Sequence, residues 1–229
     1  MKGLQLAQVD AERSALDQER LTKIRDAVSE FAGDLADLDD RPPTKAHLTT
    51  DAEASSAVDS VAENSAHETL PIVSKQDLPP EWLGEHPVLC MAGRGLIDEA
   101  AAIMLAQLST AHGLAARVER ADALSTANVF RLETTGVAIV CLVYLDSSGP
   151  AHMRYSVRRL RRKLPKAIII LGCWVKDIDP TALEVLRDMK ADLVAASLGE
   201  AVKLCIEAAG VKDHSHAASK QEKSTIAAA

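Results

Sequence analysis

From Pro87 onward, short apolar runs alternate with longer stretches in which apolar residues recur every three or four positions. The runs PVLCMAG, LAARVER, GVAIVCLVYLD, KAIIILGCW and ADLVAAS read as five strands. The third is apolar almost throughout, as a strand covered on both faces must be. Between the runs lie helical patterns. GLIDEAAAIMLAQLSTAHG places Ile97, Ala101, Met104 and Leu108 on an inner face, with Gly113 as its stop. Asp98 and Glu99 fall in its first turn, where they complement the helix dipole. ADALSTANVFRLE predicts a second helix carrying Leu124, Val129 and Leu132. Ala151 to Leu164 predicts a third, with Met153, Val157, Leu160 and Leu164 as its core stripe. Asp179 is the expected cap of a fourth helix that opens on Pro180. Ser197 and Glu200 form an S-x-x-E capping box for the last.

The chain before Pro87 is patterned differently. Leu21, Ile24, Val28, Phe31, Leu35 and Leu38 make a heptad-like stripe, with Asp17 as N-cap. Residues 1–38 are therefore expected to be an N-terminal helical segment. Residues 39–85 are rich in Ala, Ser, Asp and Glu and predict a flexible, disordered linker, because burial there cannot offset the entropy of ordering. Ile72, Val73 and Trp82 are its candidates for local docking. Residues 86–211 form the folded domain, and 212–229 a disordered tail. Alternating strands and helices with apolar strands predict an α/β domain with a parallel sheet. Five strands favour the flavodoxin-like, doubly wound order 2-1-3-4-5. Any ligand would then sit beyond the carboxyl ends of the first and third strands.

Composition narrows the function. The 229 residues carry a formal net charge of -7 and only 3% aromatics, which disfavours a nucleic-acid binder. The four cysteines form no C-x-x-C pair and all sit in apolar segments, so they read as buried small residues in a reducing compartment. No metal and no cofactor are expected. No apolar run is long enough to span a membrane. Against the acidic background, Ser147 to Lys176 contains no acidic residue. Arg154, Arg158, Arg161 and Arg162 project from one flank of the third helix, with Arg159 and Lys163 on the other. A charged helix face is usually no more than a solvated one. Its functional reading is contact with an anionic surface, such as a lipid leaflet, where each basic residue adds roughly 1 kcal/mol.

The candidate ligand site is assembled from three loops. Gly93, Arg94 and Gly95 make a glycine-rich turn between the first strand and its helix, whose N–H groups suit an anion. Asp146, Ser147 and Ser148 follow the third strand, and Gly172 ends the fourth. Asp146 stands where a receiver domain keeps its phosphorylated aspartate. The companion positions, Ala92-Gly93-Arg94 and Ala196-Ser197, lack the acidic pair and the lysine. His152 has no catalytic partner in sequence, so an enzyme is the weaker class.

Two resemblances follow from longer stretches. VCLVYLDSSGPAHMRYSVRRLRRKLPKAIIILGCW resembles the second half of a cobalamin-binding domain, with Ser147, Ser148 and Gly172 matching its pattern loosely. That family's D-x-H-x-x-G is here G-R-G-L-I-D, so the resemblance implies binding without a histidine ligand. GLQLAQVDAERSALDQERLTKIRDAV, followed by HPVLCMAGRGLIDEAAAIMLAQLSTAHGLAARV, is similar to the soluble C-terminal region of autoinducer-2 exporter family transporters, which are predicted permeases. This resemblance implies a cytoplasmic domain held at the inner membrane through a permease partner, with no transmembrane helix of its own. The expectation is a non-catalytic regulatory or interaction domain, either sensing a small-molecule ligand at the switch point or serving as a docking scaffold. The alternative is a cofactor-binding module similar to the cobalamin domains. Oligomeric state is not legible.

Overall fold

The computed structural model describes residues 1–36, 70–146, 149–175 and 180–210. Two helices open the chain, α1 (Lys2–Glu12) and α2 (Gln18–Ala36). Then follow β1 (Val88–Ala92), α3 (Leu96–Ala111), β2 (Ala116–Glu119), β3 (Ile139–Tyr144) and α4 (Pro150–Lys163). The domain closes with β4 (Ile168–Cys173), α5 (Pro180–Arg187), β5 (Leu193–Ala195) and α6 (Leu198–Ala208). The five strands form one parallel sheet in the order β2-β1-β3-β4-β5, as the sequence predicts.

Strand periodicity sorts the core into two layers. Val88, Cys90, Ile139, Cys141, Val143 and Ile170 face α3 and α6. Leu89, Met91, Val140, Leu142, Tyr144, Ile169 and Leu171 face α4 and the buried Leu186 and Met189. Cys90 and Cys141 are register partners on β1 and β3, and Cys205 of α6 brings its Sγ to 3.4 Å from that of Cys141. All four cysteines are free and buried. No helix among the described residues is long and apolar enough to cross a membrane.

Several elements differ from expectation for physical reasons. The predicted helix over ADALSTANVFRLE is a short 3-10 turn, Ala121–Leu124, followed by irregular turns. Ser125 Oγ accepts from the Asn128 N–H, and Asn128 Nδ2 donates to Asp122, so local side chains capture the backbone. Leu124, Val129 and Leu132 are nonetheless buried. The 1–38 segment holds two helices, with Asp17 accepting from the Arg20 N–H at 2.8 Å ahead of the second. Leu21, Ile24 and Val28 pack on the core, but Phe31 and Leu35 are exposed and Ala32 is buried instead. A straight helix drifts out of heptad register, so a residue four beyond Val28 makes the next contact. On α3, Leu105 is fully buried while Leu108 is exposed.

Within the expected linker, residues 70–85 dock on the domain. Val73 and Trp82 are buried, whereas Ile72 is exposed. Gly113 stops α3 at φ 85°, and a Cβ there would lie 2.0 Å from the Val73 carbonyl oxygen. The rest of the linker, the tail, Leu38 and Asp179 lie outside the described residues. Ser197 accepts from the Glu200 N–H at 3.1 Å as expected of the N-cap, while the Glu200 carboxylate reaches back to the Ala196 N–H, one residue before it.

Candidate functional site

The carboxyl ends of β1, β3 and β4 bring Gly93, Arg94, Gly95, Asp146 and Gly172 to one edge of the sheet. Ser147 and Ser148 lie outside the described residues. Gly93 lies flat against Tyr144, so a Cβ there would fall 2.3 Å from the tyrosine ring. The Tyr144 hydroxyl is 3.1 Å from Nδ1 of His152 and 3.3 Å from Ser156 Oγ. Burial raises the Tyr144 pKa. Partial burial, and then the nearby Arg94 guanidinium, lower that of His152.

Asp98 changes the reading of the glycine turn. It is the third residue of α3 and is only 3% exposed. Its carboxylate accepts from the N–H groups of Arg94 at 2.8 Å, Gly95 at 3.4 Å and Leu145 at 2.9 Å. The N–H donors of Arg94 and Gly95 are thus already given to an internal anion. Burial pushes the Asp98 pKa from 3.8 up to about 6, against the opposing pull of those N–H groups.

Asp146 links two parts of the site. Its carboxylate lies 3.8 Å from Nη1 of Arg94 and accepts from Nε2 of Gln8 at 3.2 Å. Gln5 Nε2 donates to the Trp174 carbonyl at 2.7 Å. Helix α1 therefore lies across the carboxyl ends of β3 and β4. Leu4 is its buried anchor, and a cavity of about 310 Å³ under it is lined by Leu6, Val9, Leu145 and Val175. The Trp174 indole covers Gly172, where a Cβ would sit 3.1 Å from Nε1. Burial pushes the Cys173 thiol up to about 12.

Beside α1, an open groove of about 620 Å³ runs along the end of β1. Gly93, Arg94, Gly95, Arg120 and His152 line it, together with Gln18 and Leu21 at the start of α2. Its charges are mutually paired. The buried Glu99 carboxylate lies 3.3 Å from Arg25 and 3.9 Å from Arg120. Among the described residues, no group of three or more His, Cys, Asp or Glu side chains is placed to hold a metal.

The arginine flank divides on inspection. Arg161 donates to the Ala167 carbonyl at 2.8 Å and pairs with Asp192, so it ties α4 to the entry of β5. Arg158 and Arg162 are exposed and Arg154 is half-buried. These three make no ion pair among the described residues. Sequence reasoning placed Trp174 in a switch-point loop but missed the site roles of Asp98, Tyr144, Gln5 and Gln8. For Asp98 the signal was present, as an acid three residues after the glycine that opens a helix. Comparison with known proteins found no matching family model, no matching curated protein and no matching solved structure.

Proposed function

We propose that this chain is a non-catalytic regulatory module whose switch-point groove senses a small ligand and reports through α1. The observation that carries the reading is Asp146, shared between Arg94 of the groove and Gln8 of α1. A ligand that draws Arg94 toward itself loosens its hold on Asp146, and so changes how Gln8 and α1 are held. Differential contact of this kind is what any ligand-driven shift requires. Resemblance to the permease C-terminal regions supplies the partner: an inner-membrane permease, with the module on the cytoplasmic side. The arginine flank is then its contact with an anionic surface.

The test joins a native mass spectrum of the purified chain to hydrogen exchange on α1. A bound small molecule, together with faster α1 exchange in Asp146→Asn while α3 stays protected, supports the reading. A bare mass with unchanged α1 exchange rejects it. The alternative, a cobalamin-like module, would show a corrinoid absorption band. It is the weaker reading, because the first loop lacks the histidine ligand and the Trp174 indole already packs over Gly172.

A further inference from the structure

The β2–β3 connection and the outer face of α4 meet at a corner that the switch-point reading does not use. Phe130 is 79% exposed there, although its neighbours Val129 and Leu132 are buried. A segment anchored on both sides thus holds one large apolar ring outward. Lys163 Nζ lies 5.9 Å from the centre of that ring. On the adjoining turn, Tyr155 is half exposed and the Arg159 guanidinium lies 5.1 Å from its ring. Arg131 is exposed beside Phe130, and across the outward side of α4 the exposed Arg162 and Arg158 lead to the half-buried Arg154 on the other flank. The nearby acids are turned to other tasks. Asp192 holds Arg161, Glu133 accepts from the Thr134 and Thr135 N–H groups, and Asp122 bonds Asn128.

We propose that this corner is a docking surface for an anionic lipid bilayer, in which Phe130 enters the headgroup boundary and the arginines meet lipid phosphates. The inference rests on the reading of the arginine flank as an anionic contact, and adds the apolar anchor. Aromatic rings favour the membrane interface, and long basic side chains reach from apolar surface to phosphate. An acidic polypeptide would satisfy the charges but would leave Phe130 without a role. A bilayer satisfies both the cations of the α4 face and the outward ring.

The experiment is co-sedimentation of the full chain with vesicles of phosphatidylcholine, with and without phosphatidylglycerol. The chain is expected to bind only the anionic vesicles, and less at high salt. Each basic residue at the surface is worth about fivefold. The triple variant Arg154→Ala, Arg158→Ala, Arg162→Ala should therefore lose binding about a hundredfold. Phe130→Ala should lose it about tenfold, by forfeiting the buried ring. Far-UV circular dichroism verifies that both variants are folded. Loss with the arginine variant but none with Phe130→Ala overturns the inserted anchor and leaves the anionic contact standing. Failure of the unaltered chain to bind anionic vesicles overturns both. Equal binding to polyglutamate, indifferent to Phe130, overturns the bilayer in favour of an acidic protein.

Discussion

Helices α3 and α4 both cross between parallel strands, yet one is buried nearly all round and the other is half wet. Helix α3, LIDEAAAIMLAQLSTA, has the sheet on one side and α2 on the other. Its alanines Ala100, Ala101 and Ala102 are all fully buried, and such small side chains let a third layer come close. Helix α4 buries Met153, Ser156, Val157 and Leu160 and gives its remaining surface to cations. The comparison teaches that a helix's composition records how many layers cover it. A narrow apolar stripe means one neighbour, and an apolar circumference means two.

Substitutions can break this contrast, beginning with the largest effect. Leu105→Ala, at a fully buried position of α3, should cost about 2–5 kcal/mol in urea unfolding. A loss well below that range would show that the Leu105 side chain is not sealed as its burial implies. Next is a pH dependence seated at the start of α3. In the unfolded chain Asp98 ionises near 3.8, and in the folded chain near 6. Between those values the folded state keeps a proton that the unfolded state releases. The contribution of Asp98 is therefore complete below about pH 4 and lost as pH rises through 6, amounting to roughly 3 kcal/mol. Denaturation midpoints measured from pH 4 to 8 should show that fall, and Asp98→Asn should remove it.

Gly93→Ala sharpens the comparison at the sheet edge between the two helices. It should cost about 1–3 kcal/mol, because the new Cβ meets the packed Tyr144 ring. The same change should alter the His152 titration followed by NMR. Within α4, Arg161→Ala should cost about 1 kcal/mol through its lost bond to the Ala167 carbonyl. Arg158→Ala and Arg162→Ala should each stay within about 0.5 kcal/mol of the unaltered protein. Equal effects at all three arginines would show that the flank is uniform after all.

The sheet was legible because its central strands β1, β3 and β4 are contiguous apolar runs, as parallel strands covered on both faces must be, whereas the edge strand β2, ARVE, is only partly buried. Its order followed from strand number and handedness rules. The 121–133 segment misled because Leu124, Val129 and Leu132 fall between two strands, where a crossover helix is expected, although their spacings of five and three do not keep one helix face. Burial needs only that the residues point inward, and turns stabilised by Ser125 and Asn128 do this equally well. The glycine turn, Asp146 and Gly172 were placed at the correct edge. What occupies that edge was not legible. Gln5 and Trp174 are 169 positions apart, and Gln8 and Asp146 are 138 apart. Polar contacts at such separations leave no periodicity to read. Helix α1 itself buries only Leu4, too little to register as a pattern.

The buried thiols, three of them sealed between β1, β3 and α6 and the fourth, Cys173, at the end of β4, have a practical consequence. Cys90, Cys141, Cys173 and Cys205 are each at most 1% exposed, so an alkylating reagent has no target in the closed molecule. Every labelling event must wait for the sheet or its covering helix to open. With reagent in excess, the mass gained over time becomes a clock on that opening, requiring no engineered probe and no denaturant. The order in which the four sites react would show which seam of the domain parts first.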